Sequence, residues 1–430
     1  MAMFLQSCYA LVNLVFVRML GDRAVAAHGI TLHSFFIILA IGQMIGTTAT
    51  ADISQAYGRG EVPRARGLLS AYTLLAVALG VAASIAAYLL ADVYVAFLSD
   101  DPDVRPLGLV YFEANAPTFL LQLIIIILAG ALRASGDFIA PMRIMIASVL
   151  FNAALDPFLI FGIGPFPEMG IAGAAWATVI AQALSVMAYV WLLTGRRQGE
   201  GGEHDKRLLF ARPAWSRGLF GRIVGRGFPA GLQFFVVYIV TGIVFIGVKP
   251  FGADWTGAAS GGFRVLQQIW LPIITLSMAA ATLAGQNYGA RSAERIRETS
   301  RTAVRWGLAY GGLATGITIV AAPVLAWLGA ESGGTQFEHV VDYLRIGAPV
   351  IIAFALTYVP TFILQALGRT TLPLVASLVR VALLAIFTFG VLPSTGLGPE
   401  AVLIAMTASA FVEGLIGLAF LRRFNRRLSF

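Results

Sequence analysis

The sequence predicts an all-α polytopic membrane protein with 12 transmembrane helices in two pseudo-symmetric six-helix bundles, the second a parallel repeat of the first. Three observations predict it. The first is composition: 58% of the 430 residues are hydrophobic and only 12% charged, with mean hydropathy +0.82, where a soluble chain carries roughly 25% charged residues. The second is self-similarity at an offset of 231, where Val17 meets Val248, Gly21 meets Gly252, Gln55-Ala56-Tyr57-Gly58 meets Gln286-Asn287-Tyr288-Gly289, and Arg64 and Arg66 meet Arg295 and Arg297. One inserted residue later the offset is 232, and Tyr111, Ala116-Pro117, Gly136 and Pro141 meet Tyr343, Ala348-Pro349, Gly368 and Pro373. Ordered matches of Pro, Gly, Tyr, Gln and Arg are costly to obtain by chance, and they point to a duplicated transporter. The third is an alternation of charge between loops.

The elements follow in order. Apolar runs lie near 1–20, 29–51, 67–90, 107–132, 141–163 and 171–195, then 223–249, 259–285, 302–328, 343–366, 371–393 and 400–421. Each approaches the ~20 residues needed to cross the hydrocarbon core. The first run continues to Leu20 without a small-residue cleavage site and reads as a retained helix. Six spans per half give both halves the same orientation. The domains are therefore 1–195, a linker 196–222, and 223–430. Basic residues gather in the even loops and the tail, among them Arg59, Arg64 and Arg66, Arg196 and Arg197, and Arg422 and Arg423; odd loops carry Asp100, Asp101, Asp103, Glu331 and Glu338. By the positive-inside rule the even loops and both termini are cytoplasmic, in a plasma (bacterial inner) membrane. This distribution explains the sequence pI of 9.9 without nucleic acid as a partner.

Ionisable groups deep in a span are costly, so each is a functional candidate. Asp52 and Asp92 stand at span ends, within reach of the interface, whereas Asp156, Glu413 and Arg380 lie deep. Asp156 has the richest context. Asn152 lies four residues earlier on the same helix face, and Pro157, lacking an N–H, frees the carbonyl of Ala153. These oxygens suit a hard cation or a proton; the competing reading is a buried Asp that only hydrogen-bonds a neighbouring helix. Glu413 is read either as a proton or cationic-substrate ligand or as a structural partner of Arg380. Gln43, Gln182, Gln233, Tyr238 and Gln267 complete the candidate substrate lining; taken singly, each is as well explained as helix–helix glue. Abundant aromatics suit flat, apolar, cationic molecules.

Cys8 is the only cysteine, and His28 and His33 have no further ligands at metal-binding spacing. No metal site is expected apart from sodium at Asp156. No Walker A sequence or dinucleotide fingerprint occurs in the context it needs, so no cofactor is expected and a pump would run on an ion gradient. His204-Asp205 is the sole scrap of a catalytic cluster, and the chain reads as a transporter rather than an enzyme.

The run Asn152 to Gly162 with Gly170 to Thr178, the loop Leu283 to Ala290, the loop Gly130 to Asp137, and the segment Tyr9 to Gly21 resemble multidrug and toxic compound extrusion (MATE) transporters over essentially the whole chain. The resemblance implies a V-shaped pair of bundles and cation-coupled export by a monomer, with proton or sodium as coupling ion. The cation site of archaeal and DinF-like members carries over onto Asn13, Asn152, Asp156 and Thr178. The chain departs from that pattern at Asn13, where the family has Asp, and spans 7 and 10 lack the acids of NorM-like members. A lipid-linked oligosaccharide flippase of the same superfamily and a major-facilitator transporter stand as alternative readings.

Overall fold

A computed structural model describes residues 15–195, 211–215, 217–329, 334–428 and 430. The chain forms two compact units, Met1–Ile223 and Val224–Phe430. Residues 1–14 of the expected first span, with Cys8 and Asn13, and most of the expected linker, including His204-Asp205, lie outside the described residues.

The first unit consists of α1 (Asp22–Gly58), α2 (Val62–Leu89), α3 (Ala91–Leu98), α4 (Val104–Asn115), α5 (Pro117–Ala134), α6 (Ile139–Phe161), α7 (Ile171–Gly195) and the short α8 (Arg217–Arg222). The second has α9 (Phe228–Val248), α10 (Ala253–Gly289), α11 (Ala293–Val320), α12 (Ala322–Ala326), α13 (Thr335–Gly347), α14 (Val350–Ala366), α15 (Thr371–Ala385), α16 (Leu392–Thr395) and α17 (Glu400–Arg427). Among the described residues nine helices are long and apolar enough to cross a membrane, or ten if α13 and α14, bent by 50°, form one span. The expected ninth span is α11, whose first turns carry Glu294, Arg295, Arg297 and Glu298 and so leave a shorter apolar stretch.

The repeat read from the sequence is also a repeat of structure. α1 and α10 are both 37 residues long and begin and end 231 residues apart; α2 and α11 are both 28 residues long at the same offset. Gly21 (φ 101°) and Gly252 (φ 104°) enter these long helices through the same left-handed turn. Such φ values are cheap only for glycine. Close packing repeats too. A Cβ on Gly80 would meet Leu120 Cα at 2.7 Å, and one on Gly311 would meet Ile352 Cα at 3.2 Å. Small residues at these crossings let backbones approach, which is how helices associate without a hydrophobic driving force between them.

Two expected spans are broken. The 107–132 run divides into α4 and α5 at Pro117, and the 343–366 run into α13 and α14 around Pro349. Proline has no N–H for the preceding turn; the residues before these two prolines, Ala116 and Ala348, keep helical backbone. Asp52, placed at a span end by the sequence, is instead buried. It accepts hydrogen bonds from Arg222 Nε at 2.6 Å and the Tyr72 hydroxyl at 2.9 Å. Ala214 N–H also donates to the Gly67 carbonyl at 2.9 Å. The described part of the expected linker thus docks onto the first bundle through α1 and α2.

Candidate functional site

The site in the first unit is built on α6 and α7, which pack against each other. Asn152 and Asp156 are both 0% exposed. Asn152 Nδ2 donates to Asp156 Oδ1 at 3.4 Å, as their spacing on one helix face predicts. The other oxygen of each, Asn152 Oδ1 and Asp156 Oδ2, is buried without a hydrogen-bond partner. A buried acceptor left unmade costs about 1–3 kcal/mol, and here two lie on one helix face.

The local fold holds this face against its neighbour. Pro157 lies inside α6, where it has no N–H to offer Ala153. α6 ends at Gly162 in a left-handed cap, φ 67°. Its last carbonyls are taken by the returning chain: Met169 N–H donates to Leu159 O at 3.0 Å and Gly170 N–H to Ile160 O at 3.1 Å. Gly173 then passes so close that a Cβ would sit 2.4 Å from Leu159 O. Gly173→Ala is therefore expected to part α6 from α7 and to cost about 1–3 kcal/mol. Gly242→Ala, in open space on α9, should be neutral or slightly stabilising. Thermal unfolding in detergent checks both.

Thr178 is buried on α7, with its hydroxyl donating to Ala174 O at 3.1 Å. Gln182 lies one turn further along and donates to Gln122 Oε1 of α5 at 3.4 Å. The structure adds two residues that the sequence reading did not place near Asp156. Tyr111 of α4 is buried within electrostatic reach of Asp156. Its hydroxyl meets His28 Nδ1 at 2.9 Å. His28 was weighed only as a metal ligand, and the break of a span at Pro117, which sets the direction of α4, carries no sequence signal for a pairing 83 residues apart. Asn13 lies outside the described residues, and Gln43 is half-buried on α1.

In the second unit the sequence left open whether Arg380 and Glu413 pair. They do. Arg380 Nη1 donates to Glu413 Oε2 at 3.2 Å, and Ser377 donates its hydroxyl to Glu413 Oε1. Gln233 Nε2 donates to Ser377 Oγ at 3.1 Å, and Gln365 Nε2 to Gln233 Oε1 at 2.9 Å. This chain joins α9, α14, α15 and α17. A narrow cleft beside it is walled by Phe245, Phe263, Trp270, Phe354, Tyr358 and Arg380. The expected lining residues Gln233, Tyr238, Gln267 and Glu413 are not on that wall. At the repeat positions of Asn152 and Asp156 stand Leu384 and Thr388, so the oxygen pair of α6 has no counterpart there. Among the described residues no three His, Cys, Asp or Glu side chains cluster as a metal site.

The chain matches the family described as MatE over residues 1–158 and 229–389. The chain belongs to the MatE family. Its relatives include the FAD transporter of Shewanella oneidensis, 25% identical over 309 residues, 70% of this chain and 66% of that protein. They also include a protein of Bradyrhizobium diazoefficiens named probable multidrug resistance protein NorM, 25% identical over 423 residues, 97% of this chain and 89% of that one. The alignment thus spans slightly under two thirds of the length of the FAD transporter. In fold the chain is similar to a MOP superfamily transporter from Pyrococcus furiosus, with TM-score 0.88 and 20% identity over 99% of this chain and 93% of that one. It is equally similar to an outward-facing multidrug resistance MATE transporter, with TM-score 0.89, 20% identity and the same coverage. The chain is thus a member of the MatE family with nine helices, among its described residues, long and apolar enough to cross a membrane.

Proposed function

We propose that this MatE protein is a cation-coupled antiporter that exports amphipathic small molecules by alternating access, with Asp156 and Asn152 as the coupling-ion site. The observation that carries the reading is the pair of buried, unpartnered oxygens on α6. A proton meets their need economically: protonated Asp156 gains one donor, and Asn152 Oδ1 is a free acceptor on the same face. A sodium ion would draw on the same two oxygens and require further ones. Thr178, and Asn13 in the segment before α1, complete the set implied by likeness to archaeal and DinF-like members. With Asn in place of the span 1 Asp, a single carboxylate titrates without a close acidic neighbour to split its proton affinity.

Coupling follows from differential affinity. The ion must bind one arrangement of the halves more tightly than the other, or it drives nothing. Export of amphipathic molecules is supported by the likeness to a named multidrug resistance protein, and the FAD transporter shows that a relative handles a large aromatic cargo. A place in the bacterial inner membrane, with both termini cytoplasmic, accords with the loop charges. The test is export of a fluorescent amphipathic dye from proteoliposomes, with pH and sodium gradients applied separately. Export driven by one gradient is expected, a pH gradient foremost; export unaffected by either gradient would overturn cation coupling.

A further inference from the structure

We infer that the groove between the start of α6 and the end of α7 binds one phospholipid whose headgroup ends in a primary ammonium, with the phosphate on Arg143 and the ammonium on Asp137. The groove measures about 310 Å³, at the low end of the roughly 300–1,000 Å³ of small-molecule sites. Its wall carries two charged side chains, Asp137 and Arg143, and is otherwise apolar, with Ile139, Ile144, Trp191 and Leu192. The local fold fixes it. Asp137 Oδ1 accepts the N–H of Ile139 at 3.1 Å and of Ala140 at 3.0 Å and so starts α6. Tyr189 of α7, 3% exposed, donates its hydroxyl to the Pro141 carbonyl at 3.4 Å and ties the two helices at this level. Ser148 Oγ donates to Ala181 O at 3.2 Å two turns further along α6.

The two charges share the groove without neutralising each other. Arg143 is exposed, and among the described residues no hydrogen bond or ion pair engages it. Its guanidinium presents a fork of N–H donors that matches phosphate oxygens. A carboxylate offers about four acceptor sites, so an ammonium can join whatever else Asp137 meets. A purely anionic headgroup would face the Asp137 charge, and a quaternary ammonium has no N–H to give it. A phosphate with a primary ammonium answers both walls at once. The rest of the surface suits the acyl chain. Leu184, Met187 and Trp191 follow one face of α7 at helical spacing and are all exposed, Trp191 by 72%. Tryptophan rests at the level of lipid headgroups. The groove opens at the even-loop end of α6 and α7, the end that the loop charges assign to the cytoplasmic leaflet, where basic pockets between helices take up headgroups.

Arg143 stands roughly 20 Å along α6 from Asp156, and the lipid site goes beyond the coupling reading. Binding is read without any gradient, so a failure of export and a failure of this site are separate results. The experiment is native mass spectrometry of the purified, delipidated full chain in detergent, titrated with phosphatidylethanolamine, phosphatidylglycerol and phosphatidylcholine of identical acyl chains. The wild type is expected to bind one phosphatidylethanolamine at least about tenfold more tightly than either of the others, a gap of about 1.4 kcal/mol. Arg143→Gln should erase that tight binding, whereas Arg264→Gln, at an exposed arginine of the second unit, should leave it intact. Asp137→Asn, which still caps α6, should reverse the order and place phosphatidylglycerol first. Equal binding of the three lipids by the wild type, or tightest binding of phosphatidylglycerol or phosphatidylcholine, would overturn the proposal whether or not the variants fold. So would an Arg143→Gln protein that keeps the wild-type affinity, an Arg264→Gln protein that loses it, or an Asp137→Asn protein that keeps the preference for phosphatidylethanolamine.

Discussion

Asp156→Asn is expected to lower gradient-driven export by at least about tenfold while leaving the protein folded and no less stable. The two halves of this expectation have different causes. Asn preserves the shape of the side chain and can still meet Asn152, so α6 and its packing on α7 should survive. It removes an ionisable group from a site that is 0% exposed, where a charge is expensive, so thermal stability should hold or rise. Export fails for another reason. An amide cannot take up and release a proton at any physiological pH, nor offer a full negative charge to sodium. The ion's differential affinity for the two arrangements is lost, and each tenfold of rate or occupancy corresponds to about 1.4 kcal/mol of it. Rates from proteoliposomes under a fixed gradient, beside melting curves of the same preparations, check both parts. Full export by Asp156→Asn would remove the site assignment.

Arg380→Met should behave in the opposite way, as a stability lesion. It strips Glu413 of its cationic partner and leaves a buried carboxylate, 5% exposed, held only by Ser377. Breaking one side of a buried ion pair costs about 3–5 kcal/mol, whereas replacing both sides with neutral groups of similar size is often neutral. The double variant Arg380→Met with Glu413→Gln should therefore recover most of the loss, giving a strongly non-additive cycle. Additive effects would mean that the pair is not coupled as its geometry states. Melting temperatures at fixed detergent and protein concentration supply the four corners of the cycle.

The fold was legible to a large degree because its signals are local or periodic. The offset of 231 is carried by residues such as Gly21 and Gly252, whose left-handed backbone has few substitutes. The apolar runs set the spans by length alone. Two kinds of feature stayed hidden. The breaks at Pro117 and Pro349 were within view as prolines, yet a proline inside an apolar run can be accommodated in a kinked helix as well as open a new one. The burial of Asp52 required knowing that Arg222, 170 residues away, returns to α1.

The site was legible along one helix and opaque across helices. Asn152 and Asp156 were a pair from their spacing, and the structure joins them. Their free oxygens depend on what neighbouring helices decline to offer, which spacing cannot show. Glu413 and Arg380 lie 33 residues apart on different helices, so their pairing waited for the packing of α15 on α17. Tyr111 and His28 likewise meet only through the packing of α4 on α1. The repeat adds a contrast within one molecule. The same frame holds a carboxylate and an amide on α6, and Leu384 and Thr388 at the matching positions of the second half.

That contrast makes one count decisive. Cation binding per chain can be measured on purified protein, as proton uptake on acidification in weakly buffered detergent and as equilibrium binding of radioactive sodium, for the wild type and Asp156→Asn. One coupling cation per chain, lost in Asp156→Asn, is the predicted result. An Asp156→Asn protein that binds as many cations as the wild type would contradict a coupling site centred on Asp156.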